Sequence, residues 1–222
     1  MTDTRHPIGS GATYEGSGVS IAAGEAAVDL MKPFTSRTRR PEVVGGIGGF
    51  ASLFRLPLHR YREPLLASST DGVGTKCAIA QAMDVHNTIG IDLVAMVVDD
   101  LVASGAEPLF LQDYIATGKL DPQRIAAIVS GIADGCVLAG CALVGGETAE
   151  HPGLMAPDDY DLAATGVGVV EADEVLGPDR VRAGDVVLGT GSYGLHSNGS
   201  SMVRRVLLDI ARLRLDGHVE EF

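Results

Sequence analysis

The sequence predicts an α+β fold. Short apolar runs bounded by turn residues lie among longer runs of helical period, so strands and helices share the chain. With 45% apolar residues in 222, there is material for one large domain, or for one domain and part of another. The glycines cluster without a fixed period, which sets aside collagen-like and low-complexity readings.

In chain order, residues 1–13 read as a polar, glycine-rich lead-in, expected to be mobile. Ser20 is placed to cap a helix running to about Lys32, which Pro33 is expected to close. Arg37, Arg39 and Arg40 follow as a basic cluster, most simply a solvated surface. Gly45 to Ala51 contains the loose Gly-x-Gly-x-x-Ala pattern. The polar run before it and the lack of a βαβ unit after it favour a glycine-rich strand or hairpin beside a ligand over a dinucleotide fold. Pro64 to Ala67 reads as a strand, and Thr88 to Ser104 as a helix apolar almost all round. Glu107 to Ala116 is a strand that alternates poorly. Pro122 opens a helix to about Ala139, which Gly140 ends. Cys141 to Val144 and Asp161 to Val170 are strands. In the latter, Gly166 and Gly168 share one face and suggest close approach of a neighbouring chain or ligand. Residues 171–182 are turn-rich and mark a domain joint. Asp185 to Leu188 starts a new strand, and Asn198 is placed to cap a helix from Ser200 to about Leu213.

Charge narrows the function. The net charge is −12, and residues 67–222 hold twenty-three acidic against nine basic side chains. Such a body repels a nucleic-acid backbone, and the lack of tryptophan weakens base stacking. The three cysteines, Cys77, Cys136 and Cys141, form no Cys-x-x-Cys pair and argue against zinc. No apolar leader or membrane-length run is present, so the expectation is a soluble cytoplasmic protein without membrane partners.

Three glycine-bearing stretches hold the chemistry. Ser69-Thr70-Asp71-Gly72-Val73-Gly74-Thr75-Lys76 gathers a carboxylate, hydroxyls and an ammonium around a turn. That inventory suits a polyphosphate with a divalent cation: Asp71 for the metal, free N–H groups and Lys76 for phosphate. The spacing is not that of a Walker A loop. A plain glycine turn between strand and helix fits the octapeptide equally well. Gly145-Gly146-Glu147-Thr148-Ala149-Glu150 repeats the same logic, followed by His151, a surface or loop histidine. Gly189 to Gly199 feeds a helix N-terminus, where anions bind well. Between these stretches, Asp92, Asp99 and Asp100 interrupt an apolar helix. Buried carboxylates need a partner, so a cation is expected at Asp99 or Asp100.

The ordered set Ser69 to Lys76, Ile89 to Met96, Gly105 to Phe110, Tyr114 to Lys119, Gly145 to Glu150 and Leu195 to Gly199 closely resembles the phosphoribosylformylglycinamidine cyclo-ligase family, or aminoimidazole ribonucleotide synthetases. The match runs from Tyr14 to about Leu208. The resemblance implies ATP-dependent closure of the imidazole ring of formylglycinamidine ribonucleotide, with magnesium as cofactor. It implies a homodimer with a mixed sheet, flanking helices and a barrel-like core, followed by the start of a C-terminal α+β domain. The corresponding division is 1–40 (extension and first helix), 41–173 (ATP-binding domain) and 174–222 (incomplete second domain). Residue by residue, it implies metal ligation by Asp71, Asp100 and Glu147. Catalytic roles fall on His196, Asp100 and Lys76. Nucleotide or substrate contacts fall on Lys32, Gly48, Gly49, Asp71, Gly72, Gly74, Thr75, Thr148, Ser197 and Asn198. Two departures stand out: Ser20 replaces the family's usual aspartate, and Ser200 its usual tyrosine. The alternatives are a thiamine-phosphate kinase-like relative and a nucleotide-binding or dimerisation module without catalysis.

Overall fold

A computed structural model describes residues 13–47, 49–192 and 194–218. The lead-in expected at residues 1–13 therefore lies, apart from Thr13, outside the described residues, and so does Gly48. Five α-helices and six strands are present among the described residues, besides short 3-10 and π-helical turns: α1 (Ile21–Arg37), β1 (Val43–Val44), β2 (Leu53–Phe54), β3 (Pro64–Gly72), α2 (Cys77–Met83), α3 (Ile89–Ala103), β4 (Glu107–Thr117), α4 (Pro122–Ala139), β5 (Ala142–Glu150), β6 (Tyr160–Glu171) and α5 (Ser200–Arg204).

The main sheet has the order β3-β6-β4-β5. β6 pairs antiparallel with both β3 and β4, whereas β4 and β5 are parallel and joined through α4. The sheet is thus mixed, as expected. α3 and α4 cover one face. Leu93, Val94, Val97, Ile125, Ile128, Val129 and Ile132 pack from the helices onto Leu111, Ile115, Leu143 and Leu162. Each large aliphatic side chain removed from water in this way contributes roughly 1.5–3 kcal/mol. α1 packs on α4 and β5 at one side of this layer.

Close backbone approach sets the spacing of the helical layer. A Cβ on Gly90 of α3 would stand 2.2 Å from the backbone nitrogen of Ile132 in α4. Gly166 of β6 does the same beneath α3, where a Cβ would meet Val97 at 2.5 Å. The close approach inferred for this strand is therefore made by an element of the same chain.

Several local expectations change. Pro33 lies inside α1, which continues to Arg37. Proline lacks the N–H that would bond the Asp29 carbonyl, a single lost bond, and beyond it the hydroxyls of Thr35 and Ser36 donate back to the carbonyls of Met31 and Lys32. Ser20 caps the same helix, its Oγ accepting from the Ala23 N–H at 3.2 Å. The departure at Ser20 thus preserves a capping oxygen. β1 and β2 pair antiparallel, Val43 with Phe54 and Val44 with Leu53, as the two arms of a hairpin. Arg40 is no solvated surface residue. It donates to Glu107, Pro108 O and Gly140 O, and lies over the Phe54 ring.

The strand expected at Asp185 to Leu188 is absent, and the segment is exposed coil. The helix expected from Ser200 to Leu213 is α5, followed by a π-helical stretch Arg205–Ile210. Asn198 does not cap it; Gly199 is the N-cap residue, with φ +87.

Candidate functional site

The first motif is a strand end rather than a glycine loop. β3 runs through Ser69, Thr70 and Asp71 to Gly72, and a short 3-10 turn at Gly74–Lys76 then leads into α2. Antiparallel pairing with β6 holds those residues extended, because β6 offers a full row of backbone partners out to Ala163. Ser69 and Asp71, two residues apart, point to the helix-covered face. Asp100 reaches down from α3, and the Ser69 hydroxyl donates to its Oδ2 at 2.6 Å. Asp71 accepts the Gly72 N–H at 2.7 Å. Asp100 is thus held at Ser69, two residues from Asp71 on the same face of β3, and neither carboxylate has a cationic partner among the described residues.

Asp99 and Asp100 are both exposed, so the argument from the cost of burying a carboxylate does not apply to them. α3 has a wetter outer face than its composition suggested. Asp92 is partly buried and pairs with Lys76 at 3.1 Å. Lys76 therefore lies in an ion pair rather than projecting free from the turn.

The third stretch meets the first. Thr75 Oγ1 and Ser201 Oγ are 3.0 Å apart, and Arg204 donates to the Thr75 carbonyl at 3.1 Å. Lys76, Asp92, His196 and Ser200 line one groove between α2, α3 and the C-terminal segment. The His196 Nε2 stands 3.1 Å from Ser192 Oγ. Ser197 and Asn198 are exposed in the adjoining loop.

The second stretch lies elsewhere. Gly145 to Glu150 belongs to β5, paired along its length with β4, and is not a glycine turn. β5 and β3 are opposite edges of the sheet, three strand spacings or about 14 Å apart. Glu147 shares its row with Tyr114, on the face away from α3 and α4. Glu147 is thus not brought to Asp71 and Asp100 within one chain. Among the described residues no group of three His, Cys, Asp or Glu side chains could hold a metal ion. Lys32 is also remote from Asp71: it sits on α1 and pairs with Asp29 at 2.6 Å. Thr148 and Gly49 line a second cavity, beneath the hairpin.

That cavity holds a residue the sequence reading passed over, Asp113 of β4. Its neighbours on the same face of the strand, Leu111 and Ile115, are fully buried. Burial pushes the Asp113 carboxyl up to about 7. The poor alternation of β4 was the available signal, since an acid stands where the strand pattern calls for an apolar residue. His151 is held by Tyr114, whose hydroxyl lies 3.0 Å from its Nε2. The three cysteines are buried and unpaired.

Comparison with known proteins adds the lineage. Residues 54–170 match the family described as AIR synthase related protein, N-terminal domain. A protein of Geobacillus thermodenitrificans named phosphoribosylformylglycinamidine cyclo-ligase is 58% identical over 203 residues, covering 91% of this chain and 59% of that protein. One of the same name from Thermosynechococcus vestitus is 60% identical over 196 residues, covering 88% of this chain and 57% of that protein. The chain therefore spans somewhat over half the length of these relatives. Among solved structures, the hydrogenase maturation protein HypE of E. coli superposes with a TM-score of 0.53 at 22% identity, over 72% of this chain and 48% of that one. That likeness shows a shared fold. On the family match and the motifs that the sheet and α3 position, this chain belongs to the AIR synthase related family and carries its N-terminal domain.

Proposed function

We propose that this chain is the nucleotide-binding part of a phosphoribosylformylglycinamidine cyclo-ligase. The reaction would close formylglycinamidine ribonucleotide to aminoimidazole ribonucleotide, with ATP converted to ADP and phosphate. The observation that carries the reading is identity of 58–60% over about nine-tenths of the chain to proteins of that name. A thiamine-phosphate kinase is not favoured beside relatives so named. A solved HypE, described as a complex with ATP, shares the fold and lends support to ATP as the nucleotide.

The site at the β3 end fits a magnesium nucleotide. Magnesium is commonly held by one or two carboxylates together with phosphate oxygens and water. Asp71 and Asp100 supply two carboxylates without a cationic partner, and Asp100 is oriented by Ser69. When bound, the cation would neutralise charge on the transferring phosphoryl group. The chain's own part is positioning. Asp71 and Asp100 would fix the cation side, the Gly74–Lys76 turn would offer backbone N–H groups to phosphate, and Lys76 and His196 share the adjoining groove. Lys76 would exchange Asp92 for phosphate, and His196 would stabilise the phosphoryl oxygens.

Glu147 and the uncovered sheet face belong to the dimer part of this proposal. Thr70, Gln112 and Tyr114 are exposed on that face, which a second copy's sheet would cover. Glu147 would then act at a site shared between subunits. A cytoplasmic location goes with the same reading. Among the described residues no helix is long and apolar enough to cross a membrane.

The test is an assay of the full-length protein for ATP-dependent formation of aminoimidazole ribonucleotide. Absence of turnover with all components present overturns the assignment. Asp100→Asn should weaken Mg-ATP binding at least tenfold by calorimetry, and unchanged affinity removes Asp100 from the metal site. Mg-ATP binding without turnover in the full-length protein would favour the binding-module alternative.

A further inference from the structure

A cavity of about 370 Å³ lies under the glycine hairpin, between α1, α4 and the β4–β5 edge. Its volume is in the range of small-ligand sites. Its walls are largely apolar, with Ala27, Val28 and Met31 from α1, and Val129 and Leu143 opposite. The charged groups on its lining are Asp113 and Glu147, and no lysine or arginine lines it. Asp113 lies on the helix-covered face of β4, and its charge is felt at Cys136 of α4. Among the described residues, no other residue donates a hydrogen bond to the Asp113 carboxylate, and no ion pair includes it. Gly146 makes room for that carboxylate: a Cβ there would stand 1.5 Å from Asp113 Oδ1.

Asp113 is partly buried and no sealed side-chain polar atom lacks a partner among the described residues, so its carboxylate opens into the cavity, and a ligand that displaces water there must bring donors of its own. With two carboxylates and no basic side chain on its lining, the cavity favours a cationic over an anionic ligand end. A planar cation with paired N–H groups is the chemical complement, because it meets both carboxylate oxygens at once. The proposed substrate contains one such group, the amidine. We propose that this cavity takes the amidine end of formylglycinamidine ribonucleotide, with Asp113 as the residue that recognises it. The assignment rests on the cyclo-ligase reading and extends it to the substrate side. The phosphate-bearing end of the substrate would then lie outside the cavity. The raised titration point of Asp113 agrees with this arrangement, since an entering cation restores the charged form.

The test is calorimetry on the full-length protein with formylglycinamidine ribonucleotide and with formylglycinamide ribonucleotide, which carries an amide in place of the amidine. The unaltered protein should prefer the amidine at least tenfold. Asp113→Asn should reduce that preference to within twofold while leaving Mg-ATP affinity unchanged. A second variant guards against misfolding. Gly24 lines the cavity from α1, and a Cβ there meets nothing within 4 Å. Gly24→Leu, whose Cβ has open space, directs a larger side chain toward the cavity and should weaken binding of both ribonucleotides at least tenfold. Retained amidine preference in Asp113→Asn, unchanged affinities in Gly24→Leu, or no preference in the unaltered protein would overturn the proposal. Turnover assayed alongside separates the two claims. Turnover with no effect of Asp113→Asn on substrate preference refutes the cavity assignment alone. Amidine preference without turnover refutes the cyclo-ligase reading instead.

Discussion

Two short segments of this chain look alike in sequence and end in opposite environments. Ala142-Leu143-Val144 and Val186-Val187-Leu188 are each three apolar residues followed by glycine. The first is 1%, 5% and 5% exposed; the second is 80%, 94% and 86% exposed. The first lies beside β4 and beneath the helical layer, so both its backbone and its side chains find partners. The second has neither a neighbouring strand nor a covering helix. Strand preference measures fit to a pleated, half-buried surface, and without that surface it decides little. The cover, rather than the run itself, makes β5 a strand.

Disturbing the cover should give a large effect. Gly90→Ala forces a methyl group into the α3–α4 contact, where backbone atoms of Ile132 and Ile128 already stand at 2.2 and 2.6 Å from its position. Backbone cannot swing aside as a side chain end can, so α3 and α4 must part. Overpacking of this kind costs about 3 kcal/mol. Urea denaturation should show it as a lowered midpoint. A cost under about 0.5 kcal/mol, the range of surface changes, would mean that the covering layer is not rigid.

Asp113 sharpens the contrast from inside the covered region. Its carboxyl is raised from 3.8 to about 7 in the folded chain. Between those values the unfolded chain releases the proton and the folded chain keeps it. Stability is therefore free of this penalty below pH 4, falls as pH rises from about 4 to 7, and is level above. A shift of this size corresponds to at most about 4 kcal/mol, and the partial exposure of the group makes the true figure smaller. Asp113→Asn should remove this falling component, raising Tm at pH 8 relative to the unaltered chain and leaving it little changed at pH 4. Equal Tm differences at both values would show that Asp113 is not strained by burial.

The helix ends offer a smaller comparison of the same kind. α1 has a side-chain cap at Ser20, and the backbone N–H of Ser20 is bound by Glu150 at 2.8 Å. α5 has no side-chain cap. Ser20→Ala should cost about 1 kcal/mol. Thermal melting reads this directly, and no change would assign the N-terminal anchoring of α1 to Glu150 alone.

Much of the fold was legible because local pattern and tertiary cover agree in the central region. The helical period from Ile125 to Ile132 and the turn glycine at Gly140 each read correctly from sequence. The strand ends did not. Ser69 to Gly72 and Gly145 to Glu150 carry turn residues, but pairing with β6 and β4 keeps them extended. No single-sequence pattern shows which strand will be a neighbour. The candidate site was legible by composition and not by placement. Asp100 comes to the strand that carries Asp71 because α3 packs on β3, where the Ser69 hydroxyl holds it. Glu147 carries the same motif logic yet lies across the sheet, on its other face. Asp113 was missed because its meaning depends on Gly146, which is adjacent only through the parallel pairing of β4 and β5.

The smallest expected effect lies at Val187. An exposed valine contributes little burial to the folded state, so its side chain gains little on folding. Val187→Ser should change stability by less than about 0.5 kcal/mol. The matching substitution in the covered segment, Leu143→Ser, removes a buried side chain and leaves a hydroxyl in its place, at about 3 kcal/mol or more. Measured together by urea denaturation, the pair isolates the role of cover, since both begin as apolar residues within a three-residue apolar run. A large cost at Val187 would show that residues 186–188 are covered in solution, and the contrast between the two segments would then fail.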